Sequence, residues 1–297
     1  MLSKIPETQK VVVITGAARG IGYSLALSLA ARGYIVCATY KKIKSAQNFK
    51  KINKKFPNLY SYHIDVSDDK SVEAGIQKIL AKHHRIDVLV NNAARLLFGP
   101  IETVSIQQLK EEYDTNVFGA VRMLHAILPS MRKNQSGHII FMGSTSAVQC
   151  PPMYSAYASS KCAIEAIASS LASNLLFWNI KVSIIENSAT NTQLTKKSLE
   201  LGTRFRSDNN PYKKYVKSSL CFLRQIASNG QSPEAAAESI AKIIQTPTRP
   251  LRKFITKYAK NVFKEELKDP DGKSYLKIAR KELKWFPNMK QKNVKGY

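Results

Sequence analysis

The chain has only four cysteines among 297 residues, and none stands in a CxxC pair or at another metal-ligand spacing. It has no apolar run approaching the roughly 18 to 20 residues needed to cross a bilayer. Its polar first ten residues lack the apolar segment of a signal peptide. We therefore expect a cytoplasmic protein with reduced thiols and no metal site. Apolar sequence neighbours suggest that three of the cysteines are small core residues.

Acidic residues are also scarce, since 21 Asp and Glu stand against 46 Lys and Arg, giving a formal net charge of +25. Such an excess fits nucleic acid, an acidic membrane surface or an anionic cofactor. The basic residues are spread along the chain, without an arginine-rich arm or a recognisable nucleic-acid module. We therefore expect a lysine-rich solvated surface and no binding of nucleic acid. The charge alone does not identify a function.

Short apolar runs alternate with helical patterns over most of the chain. The predicted strands are 11–15, 35–40, 59–65, 86–91, 138–144, 181–185 and 251–256. A polar helix is expected up to about residue 56, and two helical stretches between about 105 and 133. Because the strands are continuously apolar and joined by helices, they should form a parallel sheet covered on both faces. The predicted fold class is α/β, a single doubly wound parallel sheet (Rossmann fold) with a C-terminal lid and helical extension.

The alternation breaks in the last third of the chain. A long polar stretch at about 190–231 is predicted to be a substrate lid. Ser232 as N-cap and Pro233 at the first helical position then predict a helix. The extension at about 257–297 is typical of amphipathic helices, whose aromatic residues either pack onto the domain or make a weak peripheral membrane contact. With no repeat and no linker, we predict one domain over 1–297.

The most informative pair is Tyr157 and Lys161, four residues apart in a predicted helix, so that their side chains should share one face. An ammonium nearby favours the phenolate and should lower the pKa of the phenol from its usual value of about 10. Such a tyrosine can exchange a proton with an alcohol or carbonyl oxygen. The same spacing also occurs by chance as an exposed pair in lysine-rich helices, so it needs support from the rest of the chain.

A glycine-rich turn, TGAARGIG at 15–22, follows the first predicted strand. Glycines there permit a tight turn and close approach of a pyrophosphate to a helix N-terminus, although a plain turn is the alternative. After the second strand the chain has Lys41 and Lys42 where an NAD-binding chain usually has an acid, and Arg19 lies in the glycine turn. Cations there suit the 2′-phosphate of NADP(H), although each lysine alone could be a solvated surface charge.

Together these motifs resemble the short-chain dehydrogenase/reductase family over nearly the whole chain. TGAARGIG matches its TGxxxGxG cofactor loop, and NNAA at 91–94 resembles its NNAG motif. The catalytic tetrad is matched in order and spacing by Asn116, Ser144, Tyr157 and Lys161. The resemblance implies an NADP(H) site formed by Gly16, Arg19, Gly20, Ile21, Gly22, Lys41, Asp65, Val66, Asn92, Ala93, Tyr157, Lys161 and Thr192.

The resemblance also implies a role for each member of the tetrad. Tyr157 would be the general acid in reduction and the general base in oxidation. Lys161 would lower the pKa of Tyr157 and hold the nicotinamide ribose. Ser144 would fix the substrate oxygen, and Asn116 would hold a water in a proton relay with Lys161. Taken alone, Ser144 and Asn116 could equally be capping or turn residues.

The segments CATYKK, NTQLTKK and LKDPDGKSYLKIARKEL resemble the branch of estradiol 17β-dehydrogenase type 1 and photoreceptor retinol dehydrogenase. That branch implies a hydrophobic alcohol or ketone (steroid-, retinoid- or lipid-like), contacted by Ser144, Tyr157 and Glu282, and a homodimer or homotetramer. Glu282 could instead be a surface charge. Asn187-Ser188 replaces the family's usual Pro-Gly, so the alternative is a dinucleotide-binding regulatory protein with weak or lost catalysis.

Overall fold

The computed structural model describes residues 9–50, 52–151, 153–194, 211–212, 220, 224, 228, 230–246, 248 and 250–266. Glu282, most of the predicted lid and most of the C-terminal extension lie outside the described residues. The described part contains one parallel sheet of seven strands. The strands are β1 (Val11–Ile14), β2 (Ile35–Tyr40), β3 (Leu59–His63), β4 (Val88–Asn91), β5 (Gly137–Met142), β6 (Ile180–Glu186) and β7 (Arg252–Phe254).

The strands lie in the order β3-β2-β1-β4-β5-β6-β7. The helices are α1 (Gly20–Ala31), α2 (Gln47–Lys50), α3 (Ile52–Lys55), α4 (Asp69–His83), α5 (Ile106–Tyr113), α6 (Gly119–Lys133), α7 (Ser146–Gln149), α8 (Ser155–Asn174), α9 (Pro233–Gln245) and α10 (Lys257–Glu266). The parallel strand order and the helices between the strands confirm the predicted Rossmann sheet. Among the described helices, none is both long and apolar enough to cross a membrane.

Alternate residues of β1 point to opposite faces of the sheet, as a strand between two helical layers requires. Val11 and Val13 join the core beneath α4, α6 and α8, whereas Val12 and Ile14 join the core beneath α1 and α9. From β1 the chain continues to β2 and β3 on one side of the sheet, and after β3 it crosses to β4 on the other side of β1. The loops at the carboxyl ends of β1 and β4 therefore diverge, and such a crevice is where doubly wound folds bind ligands.

Two predicted helical regions differ in detail from the structure. The polar helix expected up to residue 56 is divided into a 3-10 turn (Ile43–Ala46) and the short helices α2 and α3. The two helices expected between 105 and 133 are joined without a break by one π-helical turn, Asp114–Phe118. Apolar periodicity indicates the two helices but does not specify the short π-helical turn between them, because such turns are rare and have no sequence pattern of their own.

The helix predicted after the lid is confirmed. The Ser232 hydroxyl accepts a hydrogen bond from the Ala235 N–H at 3.1 Å, and Pro233 stands in the first turn of α9.

The expectation that three of the cysteines are core residues is wrong in part. Cys37 is buried in β2, but Cys150 and Cys162 are exposed, so three of the four cannot be core residues.

Candidate active site

The glycine turn between β1 and α1 needs glycine for two different reasons. Gly16 and Gly20 have φ angles of +63° and +58°, which side-chain-bearing residues rarely adopt. A Cβ at Gly16 would lie 2.9 Å from the Ala93 Cα, and one at Gly22 only 2.5 Å from the Asn92 Nδ2. The backbone of the turn therefore packs directly against the segment that follows β4.

That segment holds the turn through Thr15, which the sequence reading did not single out. The Thr15 hydroxyl oxygen accepts hydrogen bonds from the backbone N–H groups of Asn92 and Ala93, both at 2.9 Å. The Asn92 amide donates to the Thr15 carbonyl at 2.8 Å. Asn92 and Ala93 thus fix the shape of the glycine turn, while Ile21, half-buried, packs onto the core beneath α1.

The amino end of α1 is suited to an anion. Its N-cap, Arg19, makes no side-chain cap, and the first turn contains no acidic residue. By contrast, α4 and α5 are capped by the side chains of Asp68 and Ser105. Because the first-turn N–H groups of an uncapped helix point outward with the positive end of the helix dipole, they fit a phosphate. The turn therefore fits the pyrophosphate of a dinucleotide.

The ends of β2 and β3 bring Lys41 and Asp65 together. The Lys41 ammonium lies 3.0 Å from an Asp65 carboxylate oxygen and donates to the Ser67 hydroxyl at 3.0 Å. Burial acts to raise the pKa of Asp65, but hydrogen bonds from Ser67 and Lys41 outweigh it and hold the pKa below its usual value. Val66, next to Asp65, is buried against Gly119.

Arg19 and Thr192 lie where the start of the predicted lid contacts the glycine turn. The Arg19 guanidinium donates to the Gln193 side-chain oxygen at 2.7 Å. A Cβ on Gly20 would lie 3.5 Å from the Thr192 methyl group, so the first residues of the predicted lid cover the glycine turn. The structure places Thr192 over the glycine turn, and a contact between Thr192 and a cofactor stays a prediction.

Tyr157 and Lys161 lie one turn apart on α8 and are 8% and 5% exposed. This excludes the alternative of an exposed pair. The Lys161 ammonium donates to the Met142 carbonyl at 2.7 Å and lies 5.6 Å from the centroid of the Tyr157 ring. The Ser144 side chain lies beside the Tyr157 hydroxyl, close enough to influence its pKa. The structure thus brings three members of the predicted tetrad together where β5 ends.

The pKa values of this pair are set mainly by burial. Burial raises the pKa of Tyr157 above its ordinary value, the nearby Ser144 side chain acts to lower it, and the charge of Glu112 raises it further. This is the opposite of the lowered value expected from the neighbouring ammonium. Burial lowers the pKa of Lys161 to about 8, although nearby glutamates act in the opposite direction. At neutral pH the phenol is therefore fully protonated.

Asn116 lies in the π-helical turn and is buried. Its side-chain oxygen accepts from the Arg95 N–H at 2.7 Å. Its amide donates to Glu112 and Ser160 at 3.1 Å and 3.0 Å. A polar cavity of about 10 Å³, room for a single water, is lined in part by Asn91, Asn116 and Lys161. The water expected to join Asn116 to Lys161 would fit there.

Buried acids surround Lys161, and the sequence reading missed them. Glu186 ends β6 with its carboxyl fully buried close to the Glu165 side chain, and neither Glu186 oxygen has a hydrogen-bond partner among the described residues. Arg252 donates to a Glu165 carboxylate oxygen at 2.9 Å. Burial, and then the proximity of Glu165, raises the pKa of Glu186 well above its usual value. Glu165 could have been noticed, since it follows Lys161 by four residues on the same helix face.

Glu186 also explains why Gly143 precedes the Ser144 hydroxyl. A Cβ at Gly143, directly after β5, would lie 2.6 Å from a Glu186 carboxylate oxygen, and a Cβ at Gly137, the first residue of β5, would lie 2.5 Å from the Met131 sulfur. Gly143→Ala should lower the free energy of unfolding by about 1–3 kcal/mol, because the buried carboxyl must move. Gly137→Ala should cost less, because a methionine end is flexible. Equal losses in denaturant titrations would contradict the close contact with Glu186.

The departure at Asn187-Ser188 is compensated by side-chain hydrogen bonds. The Asn187 side-chain amide donates to the Thr190 hydroxyl at 3.0 Å and its oxygen accepts from the Gln231 amide at 2.9 Å. The Ser188 hydroxyl bonds the Thr256 hydroxyl at 3.0 Å. The loop after β6 is therefore fixed by polar contacts where a proline would have restricted it by ring geometry.

An apolar cluster adjoins the Tyr157 ring. Its buried members are Phe98, Met153, Tyr154, Tyr157 and Leu220. The rings of Tyr154 and Tyr157 meet edge to face with centroids 6.1 Å apart. The phenol thus lies between a polar side, formed by Ser144 and Lys161, and an apolar side that suits a hydrophobic substrate.

A family model described as short chain dehydrogenase matches residues 10–201. The chain is 30% identical to human 17-beta-hydroxysteroid dehydrogenase type 1 (92% of this chain, 85% of the relative) and 32% identical to bovine retinol dehydrogenase 8 (95% and 93%). A solved short-chain dehydrogenase from Streptomyces avermitilis superposes with a TM-score of 0.74 at 26% identity, over 96% of this chain and 97% of that one. The chain therefore belongs to the short-chain dehydrogenase family of oxidoreductases, which act on alcohols and ketones.

Proposed function

We propose that this protein transfers a hydride between NADP(H) and a hydrophobic alcohol or ketone. The observation that carries the proposal is the buried Tyr157 phenol, which lies beside Ser144 and one helical turn from Lys161 and borders an apolar cluster. Two relatives are named for a hydroxysteroid and for retinol, which supports a steroid-, retinoid- or lipid-like substrate.

Each residue of the site has a distinct task in this proposal. A bound nicotinamide dinucleotide supplies or accepts the hydride. Ser144 and Tyr157 hold the substrate oxygen, and Tyr157 gives it a proton in reduction or takes one in oxidation. Because the phenol is protonated at neutral pH, Tyr157 can donate its proton to the substrate oxygen in reduction. Lys161 and Asn116 would deliver the replacement proton through a water held in the small cavity that both residues line.

The cofactor would be held along the crevice from α1 to the lid. The glycine turn and the uncapped first turn of α1 would bind the pyrophosphate, with Asp65 and Val66 beside the adenine. Lys41 would meet the 2′-phosphate, and Arg19 lies in the turn that precedes α1. Because no acid of the NAD-binding type ends β2, NADP(H) fits these residues better than NAD(H).

Lys41→Ala should weaken NADPH binding roughly tenfold and leave NADH binding nearly unchanged, because only NADPH carries the phosphate that this cation meets. Lys44→Ala is the matched control, since Lys44 is exposed in the same loop but has no proposed contact. Fluorescence titrations of both variants with both cofactors measure the effect. Equal affinities of the wild type for NADPH and NADH would refute the cofactor assignment.

The function itself is tested by a panel of steroid, retinoid and lipid ketones and alcohols, followed by NADPH absorbance. Turnover of at least one hydrophobic substrate, and its loss in a Tyr157 variant, is the expected result. The alternative, a dinucleotide-binding regulatory protein, predicts tight NADPH binding with no turnover on the whole panel. The buried contacts of Tyr157, Lys161 and Asn116 favour the enzyme.

The proposal also includes subunit association, a further substrate contact and a membrane contact. Ile106 and Phe118 are 67% and 52% exposed on the continuous helix from α5 to α6, which supports a homodimer or homotetramer built through long helices. Glu282 remains a proposed substrate contact, and the basic extension a proposed site of weak peripheral membrane contact; both lie outside the described residues.

A further inference from the structure

Two exposed thiols lie close together beside α8, the helix that carries Tyr157 and Lys161. Cys150 directly follows α7, and Cys162 follows Lys161 on α8. Both are exposed, and both thiols donate to carbonyls of neighbouring residues on α7, so the two side chains lie close together. They are twelve positions apart with no CxxC spacing, so only the packing of α7 against α8 brings them together.

The backbone of Cys150 has a conformation that is unusual for a residue other than glycine. Its φ of +45° and ψ of +66° lie in the left-handed region, which favours glycine as the residue ending a helix. A side chain at this position is unfavourable for the fold. The chain nevertheless carries a thiol there, in contact with a second exposed thiol.

The pair is connected to the catalytic hydroxyl through α7. The Cys150 thiol donates to the Ser146 carbonyl at 3.5 Å, and the Cys162 thiol to the Ala147 carbonyl at 3.0 Å. The Ser146 N–H in turn donates to the Ser144 hydroxyl oxygen at 3.1 Å. Both thiols are therefore connected to Ser144 through hydrogen bonds to one four-residue helix.

We propose that Cys150 and Cys162 form a reversible disulfide with small-molecule disulfides, and that this bond lowers turnover by displacing Ser144. One thiolate attacks the small disulfide and releases a thiolate. The second thiol then attacks the mixed disulfide and releases another. The protein loses two protons and two electrons, which convert the small disulfide into two thiols.

The expected loss of turnover follows from the geometry of the new bond. A sulfur–sulfur bond of about 2.05 Å requires both thiols to leave their carbonyl acceptors on α7. The short helix then moves toward α8, and Ser144 shifts relative to Tyr157. Burial and the neighbouring Cys150 raise the pKa of Cys162, so oxidation should become faster as the pH rises.

The experiment treats the full chain with oxidised glutathione, blocks free thiols and maps peptides by mass. The expected result is a Cys150–Cys162 linkage and a turnover at least about threefold lower, both reversed by dithiothreitol. Cys150→Gly, which suits the left-handed backbone, and Cys162→Ser should retain turnover under oxidation. Cys37→Ala, at the buried thiol, should respond as the wild type does. Separate glutathione adducts without a linkage would refute the proposal.

The loss of turnover rests on the proposed function, but the linkage does not. If the reduced protein turned over no substrate, the proposed function would fail, and mass mapping would still decide whether the bond forms. Displacement of Ser144 is then read from amide hydrogen exchange of residues 144–150 in the oxidised and reduced forms. A linked protein with unchanged exchange and unchanged turnover would overturn the coupling to the active site.

Discussion

Tyr157→Phe should lower kcat by about 10²- to 10⁴-fold, the usual contribution of a positioned general acid, or about 3–5 kcal/mol of transition-state stabilisation. The substitution removes one hydroxyl and keeps the ring that packs against Tyr154. Binding of NADPH should change by less than about threefold, since the glycine turn and Lys41 are untouched. Stopped-flow reduction assays and cofactor titrations measure the two quantities separately.

The matched control is Tyr62→Phe. The Tyr62 hydroxyl lies on β3 beside the His83 ring at 3.3 Å, and burial raises the pKa of this phenol as it does that of Tyr157. Its loss should leave kcat within about twofold, because general acid catalysis requires contact with the reacting oxygen. A Tyr157→Phe protein with wild-type kcat would show that another group supplies the proton.

Much of the site could be predicted because its residues follow strand ends. The carboxyl ends of neighbouring parallel strands lie along one edge of the sheet, so the runs after β1, β4 and β5 had to lie near one another around the crevice between β1 and β4. That rule brought Gly16, Asn92 and Ser144 to one crevice without any structure. The helical spacing then placed Tyr157 and Lys161 beside them.

The features that were missed depend on packing between distant segments. The Glu165–Glu186 contact joins a helix to a strand, and the sign of the Tyr157 pKa shift depends on how completely α8 is buried. The Cys150–Cys162 contact requires α7 to fold back on α8. Sequence spacing carries none of this information, because burial and long-range contacts are decided by tertiary structure.

Lys161→Met should lower kcat by at least about 100-fold, since the ammonium is the predicted source of the replacement proton. The variant should nevertheless be no less stable than the wild type at pH 7. Lys161 is almost completely buried, and its pKa falls from 10.5 to about 8 in the folded protein. Burying its charge therefore costs stability at neutral pH, and a methionine of similar length avoids that cost.

The pH dependence of stability and of kcat distinguishes proton delivery by Lys161 from a purely structural role of its side chain. Between about pH 8 and 10.5 the unfolded chain binds more protons at Lys161 than the folded chain, so this group makes stability rise with pH there. Lys161→Met should lose that rise. Wild-type kcat should fall as pH increases through about 8, where Lys161 loses its charge, and the residual rate of the variant should lack this step.

Lys181→Met is the control for a buried lysine as such. Lys181 is also buried, but it lies near the amino end of β6, opposite His138 on β5 and away from the carboxyl edge that carries the site. Its substitution should leave kcat per folded molecule within about twofold, because no proton path is altered. If both methionine variants lost turnover equally, the effect would come from disturbing the sheet. A loss confined to Lys161, with its pH step, requires an ammonium beside the Tyr157 phenol.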